Sequence, residues 1–131
     1  MDVKNIVKNL EGYFLHEKDG YVEILLPIVF FSSHGSMLKL TIAPKDEGYI
    51  IACVDDLFYE SNGPQERYFN IFMKNDKNYH YDMLISNNVI YKEYPRNRSI
   101  NTALDEVIRF FILFDDFIMG NDVVGHEEDF E

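Results

Sequence analysis

The residues of this chain that could do chemistry are few and scattered. The four histidines are His16, His34, His80 and His126, and none stands at a metal-pair spacing such as His-x-x-x-His. Cys53 is the single cysteine. Structural zinc is held by four N or S ligands that usually come as close pairs, so no zinc site is expected. Asp55-Asp56 and Asp115-Asp116 could offer oxygens to a hard cation, but adjacent residues on a helix do not face one direction. The seven glycines are dispersed, and Ser33-His34-Gly35-Ser36 is not a phosphate-cradling loop. The best arrangement for catalysis is a small hydrolase in which His34 works with Asp55 or Asp56 and orients Ser33 or Ser36 as nucleophile. Against it, loops gather Ser, Gly and His because they turn, and paired aspartates at a strand end usually cap or solvate it. The chain is therefore expected not to be an enzyme and to need no cofactor or metal. Cys53, inside an apolar run, reads as an inert core residue.

Charge is the more informative feature. The 131 residues carry a net charge of −11. Residues 105–131 hold nine acids and one base, Arg109, a net of −8. A phosphate-binding surface must be basic, so the net charge argues against direct nucleic-acid binding. Tyr79, Tyr81, Tyr91 and Tyr94 lie near Lys92, Arg96 and Arg98, a mixture that suits base stacking but also protein interfaces. The longest apolar runs, 24–31 and 110–114, fall far short of the ~20 residues of a membrane helix. The first ten residues mix charged and apolar types unlike a signal peptide. A single cysteine and no export signal imply a cytoplasmic setting, where the Asn97-Arg98-Ser99 sequon is irrelevant.

The elements that must position these residues follow from hydrophobic period. Val3, Ile6, Val7 and Leu10 mark a short helix over 2–11 that Gly12 stops. Strands are expected over 13–17 and 21–30, joined at Lys18-Asp19-Gly20, with Pro27 at a strand end, an edge or a bulge. Residues 37–43 alternate as a half-buried strand, and Pro44 to Gly48 form a polar turn. Residues 49–54 are nearly all apolar, as in a central strand covered on both faces. Together, residues 13–55 read as an antiparallel meander.

Pro64 sits near the first position of a second helix, with Tyr68, Phe69, Phe72 and Met73 as its buried stripe. Weak formers at 75–78 end it. A second hairpin spans 83–94 around Ser86-Asn87-Asn88, because Asn tolerates positive φ. The last helix is capped by Asn101 or Thr102 and stopped by Gly120. Its apolar face is Ala103, Leu104, Val107, Phe110, Phe111, Phe114, Phe117 and Ile118. Its polar face is Thr102, Asp105, Glu106, Arg109 and Asp116, with an expected Asp105–Arg109 pair. Ile112 and Leu113 fall among these polar residues, so either the helix is covered on most sides or an apolar spot lies among the acids.

The order of elements from residue 21 to 118, with Pro27-Ile28 in one strand and Val54-Asp55-Asp56 ending another, resembles a family of small bacterial and prophage domains of unknown function. Leu57 stands where that pattern has glycine. The resemblance implies an α+β fold and a mobile-element origin, and it carries over no catalytic residue.

The expected fold class is thus α+β. An antiparallel sheet of about five or six strands packs against a long apolar C-terminal helix, with two shorter helices alongside. Residues 1–120 form a single domain and 121–131 an acidic tail. The expected function is an acidic binding module of inhibitor, antitoxin or anti-defence type. It would occupy a basic protein surface, of the kind that holds nucleic acid, with aligned carboxylates imitating phosphate spacing. The contact residues would be Asp105, Glu106, Ile112, Leu113, Asp115, Asp116, Asp122, Glu127, Glu128 and Asp129. The alternative is a self-associating structural or regulatory domain, a homodimer whose acidity only keeps it soluble.

Overall fold

Alternating apolar residues in the first half and a 3.6-residue apolar period near the C-terminus must bury their faces against each other. A computed structural model of the chain shows how. It describes residues 2–10, 14–30, 36–54 and 65–124. The elements run α1 (Val3–Asn9), β1 (Phe14–Lys18), β2 (Tyr21–Phe30), β3 (Ser36–Lys45), β4 (Gly48–Cys53), α2 (Gln65–Met73), α3 (Asp76–Tyr79), β5 (Leu84–Ser86), β6 (Val89–Tyr94) and α4 (Ile100–Val124). The class is α+β, with six antiparallel strands in the order β1-β2-β3-β4-β6-β5.

Local chemistry explains most boundaries. Asp2 caps α1 by accepting the Asn5 N–H at 2.9 Å. The helix ends at Asn9, before Gly12, with Leu10 already extended and buried against the core. Gly20 takes φ 88° in the β1–β2 turn, where a side chain would be strained. At Pro27 the β2–β3 register shifts between Leu25 and Val29, so the missing N–H falls in a bulge. Asn87 and Asn88 both take positive φ, which suits the two-residue β5–β6 turn to the twist of its strands.

Three expectations about the sheet and the short helices need correction. The polar turn at 44–48 narrows to Asp46-Glu47, because Pro44 pairs with Tyr49 and extends β3. Strand β4 is central but covered on one face only: Tyr49, Ile51 and Cys53 are buried, while Gly48, Ile50 and Ala52 are half-buried. An all-apolar run does not reveal which side faces the helices. Residues 75–78 do not merely end α2. Asn75 accepts the Lys77 N–H at 2.9 Å and caps the extra turn α3, so the described residues hold three short helices rather than two.

One core lies between the inner face of the sheet and the helices. It joins Val22, Ile24, Leu40, Ile42, Tyr49, Ile51 and Ile90 to Ile6, Tyr68, Phe69, Phe72 and the apolar side of α4. Every residue expected on that side of α4 is buried, except that Phe117 is half-buried. Phe110 is its hub, with ring centroids 5.2–6.0 Å from those of Phe69, Phe72, Tyr81, Phe111 and Phe114. Ser99, rather than Asn101 or Thr102, sits at the N-cap of α4: its carbonyl accepts from Ala103 N–H at 2.9 Å and its Oγ lies 3.5 Å from Thr102 N. Gly120 does not stop this helix, which continues to Val124 and includes the first four residues of the expected tail. Nothing crowds a side chain at Gly120, and its φ is not positive.

Candidate interaction surface on α4

Because α4 packs one side against the core, its opposite side is a solvent-facing stripe. Thr102, Asp105, Arg109, Ile112, Leu113, Asp116 and Gly120 are all exposed and fall within roughly 60° of Arg109 on the helical wheel. Ile112 is 45 % exposed and Leu113 41 %. Of the two arrangements the sequence allowed, the structure has the apolar spot among charged residues. Asp105 and Asp116 flank it, and Arg109 lies one turn away. No ion pair joins Asp105 to Arg109, although their spacing permits one; neither makes an ion pair among the described residues.

The other expected contact residues do not gather on this stripe. Glu106 turns toward the sheet. Its Oε1 accepts from Lys92 Nζ at 2.6 Å and from the Tyr94 hydroxyl at 2.7 Å, and its Oε2 lies 3.3 Å from Arg98. Lys92 also donates to the Tyr81 carbonyl at 2.8 Å. Partial burial pushes the Glu106 pKa up, but the bonds from Lys92 and Tyr94 and the charges of Lys92 and Arg98 outweigh it, so the carboxyl lies below its ordinary value. Tyr94 is stacked on Tyr49 with centroids 5.5 Å apart, and the Tyr49 hydroxyl donates to the Arg98 carbonyl at 2.7 Å. Burial pushes Tyr49 up to about 12 and raises Tyr94 too, so both phenols stay protonated donors. Glu106 is therefore a structural anchor between β6 and α4, its charge balanced by two cations.

Asp115 is buried and engaged within the fold. Asp122 lies in α4, its side chain outside the described residues, and Glu127, Glu128 and Asp129 lie wholly outside them. Asp105 and Asp116 are eleven residues apart, about 16 Å along the helix. These two exposed carboxylates alone are too few and too far apart to form a row of closely spaced charge like that of duplex DNA, which carries a charge every ~1.7 Å of axis. A helix spaces acids by its own period, and two of the four described ones, Glu106 and Asp115, point away from the stripe.

The tyrosine group is also split. Tyr91 lies on the uncovered face of the sheet, opposite Ala52, while Tyr94 faces the core, because an odd separation in a strand changes sides. Met37 and Leu84 are further exposed apolar residues of that uncovered face, where Glu23, Lys39 and Glu93 interrupt them. A recess of about 320 Å³ beside the stripe is lined by His80, Tyr81, Arg98, Thr102, Asp105, Glu106 and Arg109. The hydrolase arrangement cannot be located: Ser33, His34, Asp55 and Asp56 lie outside the described residues, as does the side chain of Ser36. Among the described residues no three His, Cys, Asp or Glu side chains could hold a metal. No helix among them is long and apolar enough to cross a membrane.

The network around Glu106 was the feature missed from sequence. One signal could have found it. In the alternation Ile90, Lys92, Tyr94 the lysine falls on the inward side of β6, and an inward cation needs a carboxylate partner. No protein-family model, curated protein or solved structure matches the chain.

Proposed function

We propose that this chain is a binding module that acts by occupying a basic surface on another protein, in the manner of an inhibitor or antitoxin. The observation that carries the reading is the exposed Ile112–Leu113 pair on the outer stripe of α4, flanked by Asp105 and Asp116. Apolar side chains at the centre of a contact, rimmed by charge, are the usual anatomy of a protein interface. The helix beneath them is held rigid by Phe110, Phe111 and Phe114, so little ordering is lost when the stripe docks. The net charge of −11 steers a basic partner toward the molecule and makes the encounter sensitive to salt. Asp105 and Asp116 select cationic side chains, and Ile112 and Leu113 supply the anchor.

The test is co-purification of the full chain with proteins of its source cell at stepped ionic strength, wild type beside Ile112→Asp/Leu113→Asp. The reading expects a basic protein retained at low salt, released as salt rises, and missing with the double variant. Absence of any stable partner at low ionic strength refutes it.

A further inference from the structure

The outer stripe of α4 is complementary to itself. Along the chain it runs Asp105, Arg109, Ile112, Leu113, Asp116 and Gly120, every one exposed. Suppose a second copy of the helix is laid against it antiparallel, with the two-fold axis passing between Ile112 and Leu113. Ile112 then faces Leu113 of the second copy, Arg109 faces its Asp116, and Asp105 faces its Gly120. No carboxylate meets a carboxylate. A parallel arrangement would set Asp105 on Asp105 and Asp116 on Asp116. An antiparallel one shifted to centre between Phe110 and Phe111 would set Asp105 on Asp116. The charges therefore select one register, as charged flanks do in helix pairs generally.

Two further observations agree. Arg109 makes no ion pair with any described residue, including Asp105 four positions away, so its charge is available. Arg109 and Asp116 are seven residues apart, about 10 Å along one helix, too far to pair with each other except across an interface. Gly120 has open space around it and presents no side chain to the facing Asp105.

We infer that α4 packs antiparallel on a second copy of this chain, through Ile112 and Leu113, with two symmetry-related Arg109–Asp116 ion pairs at the margins. The contact is isologous, the commonest way for a homodimer to close. It goes beyond the binding reading: the stripe has a resting occupant that a basic partner must displace. The two contacts also differ in their response to salt. Salt screens both the repulsion between two chains of −11 and the marginal ion pairs, so its effects offset in the dimer, whereas it only weakens the grip on a basic partner.

Sedimentation velocity of the full chain tests this. A single helix–helix contact is small, so the dissociation constant is expected on the order of 10⁻⁵ M. Arg109→Asp and Asp116→Arg are each expected to weaken the dimer about tenfold or more, and the double swap to restore it to within about threefold of wild type. Both substitutions are at exposed positions, and circular dichroism checks that the fold is kept. A wild type that stays monomeric at several hundred micromolar, single variants that dimerise as well as wild type, or a double swap no tighter than the singles would each overturn it. A monomer that still captures a basic protein removes the dimer alone; a dimer with no captured partner removes the binding reading alone.

Discussion

Glu106→Gln separates a carboxylate that holds the fold together from one that meets a partner. The substitution keeps the shape of the side chain and removes its charge. Glu106 is 24 % exposed at the side chain and Lys92 16 %, so both charges are largely withdrawn from water. In the variant, Lys92 keeps the Tyr81 carbonyl but loses its counter-charge, and Arg98 loses its own. Breaking a fully buried pair costs about 3–5 kcal/mol, and partial exposure here brings the expectation to about 2 kcal/mol. For a domain of this size that lowers the midpoint of thermal unfolding by about 8 °C. Urea and thermal unfolding followed by circular dichroism at neutral pH read both quantities. The pH dependence adds a sign. The folded-state pKa of Glu106 lies below its reference value of 4.5, so its contribution is complete above that value and is lost as pH falls through the folded pKa. The gap between wild type and variant must therefore close in acid. A loss under about 0.5 kcal/mol at neutral pH, in the range of surface substitutions, or a gap that persists in acid, would refute the structural role assigned to Glu106.

Other consequences are as specific. Phe110→Ala removes the hub of the aromatic cluster and is expected to cost about 3–5 kcal/mol, measured by urea unfolding. Gly48→Ala would drive a Cβ into the Tyr94 carbonyl, with Pro95 Cα only 3.2 Å away. Because the obstacle is backbone, a loss of about 2–3 kcal/mol is expected in the same assay. An ultraviolet titration of tyrosinate should show Tyr49 and Tyr94 ionising late, with stability present below pH 10 and falling as pH rises through their raised values. Tyr49→Phe and Tyr94→Phe should each remove one late step and keep the other, and a variant that loses neither would contradict the burial described.

Period carried most of the fold into view before any coordinates. A step of 100° per residue separated the buried from the exposed side of α4 because a single helix obeys one repeat along its length. The second hairpin was legible from Asn87-Asn88, whose positive φ is a local preference. What escaped depended on partners distant in sequence. The covered side of β4 is set by its pairing with β3 and β6, which its apolar run does not encode. Glu106 looked like surface charge because its cations come from β6 and the turn after it, eight and fourteen residues away. Ser99 was passed over as cap for Asn101 and Thr102, where a shift of two or three residues along the chain is beyond the reach of composition. On the candidate surface, Ile112 and Leu113 stood out as exceptions to the wheel, and they are exposed.

Recognition through the outer stripe of α4 is probed most directly at its two apolar residues. Replacing Ile112 and Leu113 together by Asp should keep the fold at a cost of about 1–2 kcal/mol, since both side chains are only half-covered. The decisive measurement is capture of a basic protein at low ionic strength by wild type and by this double variant, matched for fold by circular dichroism. Capture that salt reverses and that the variant abolishes is the expected result. Equal capture by both proteins would contradict it.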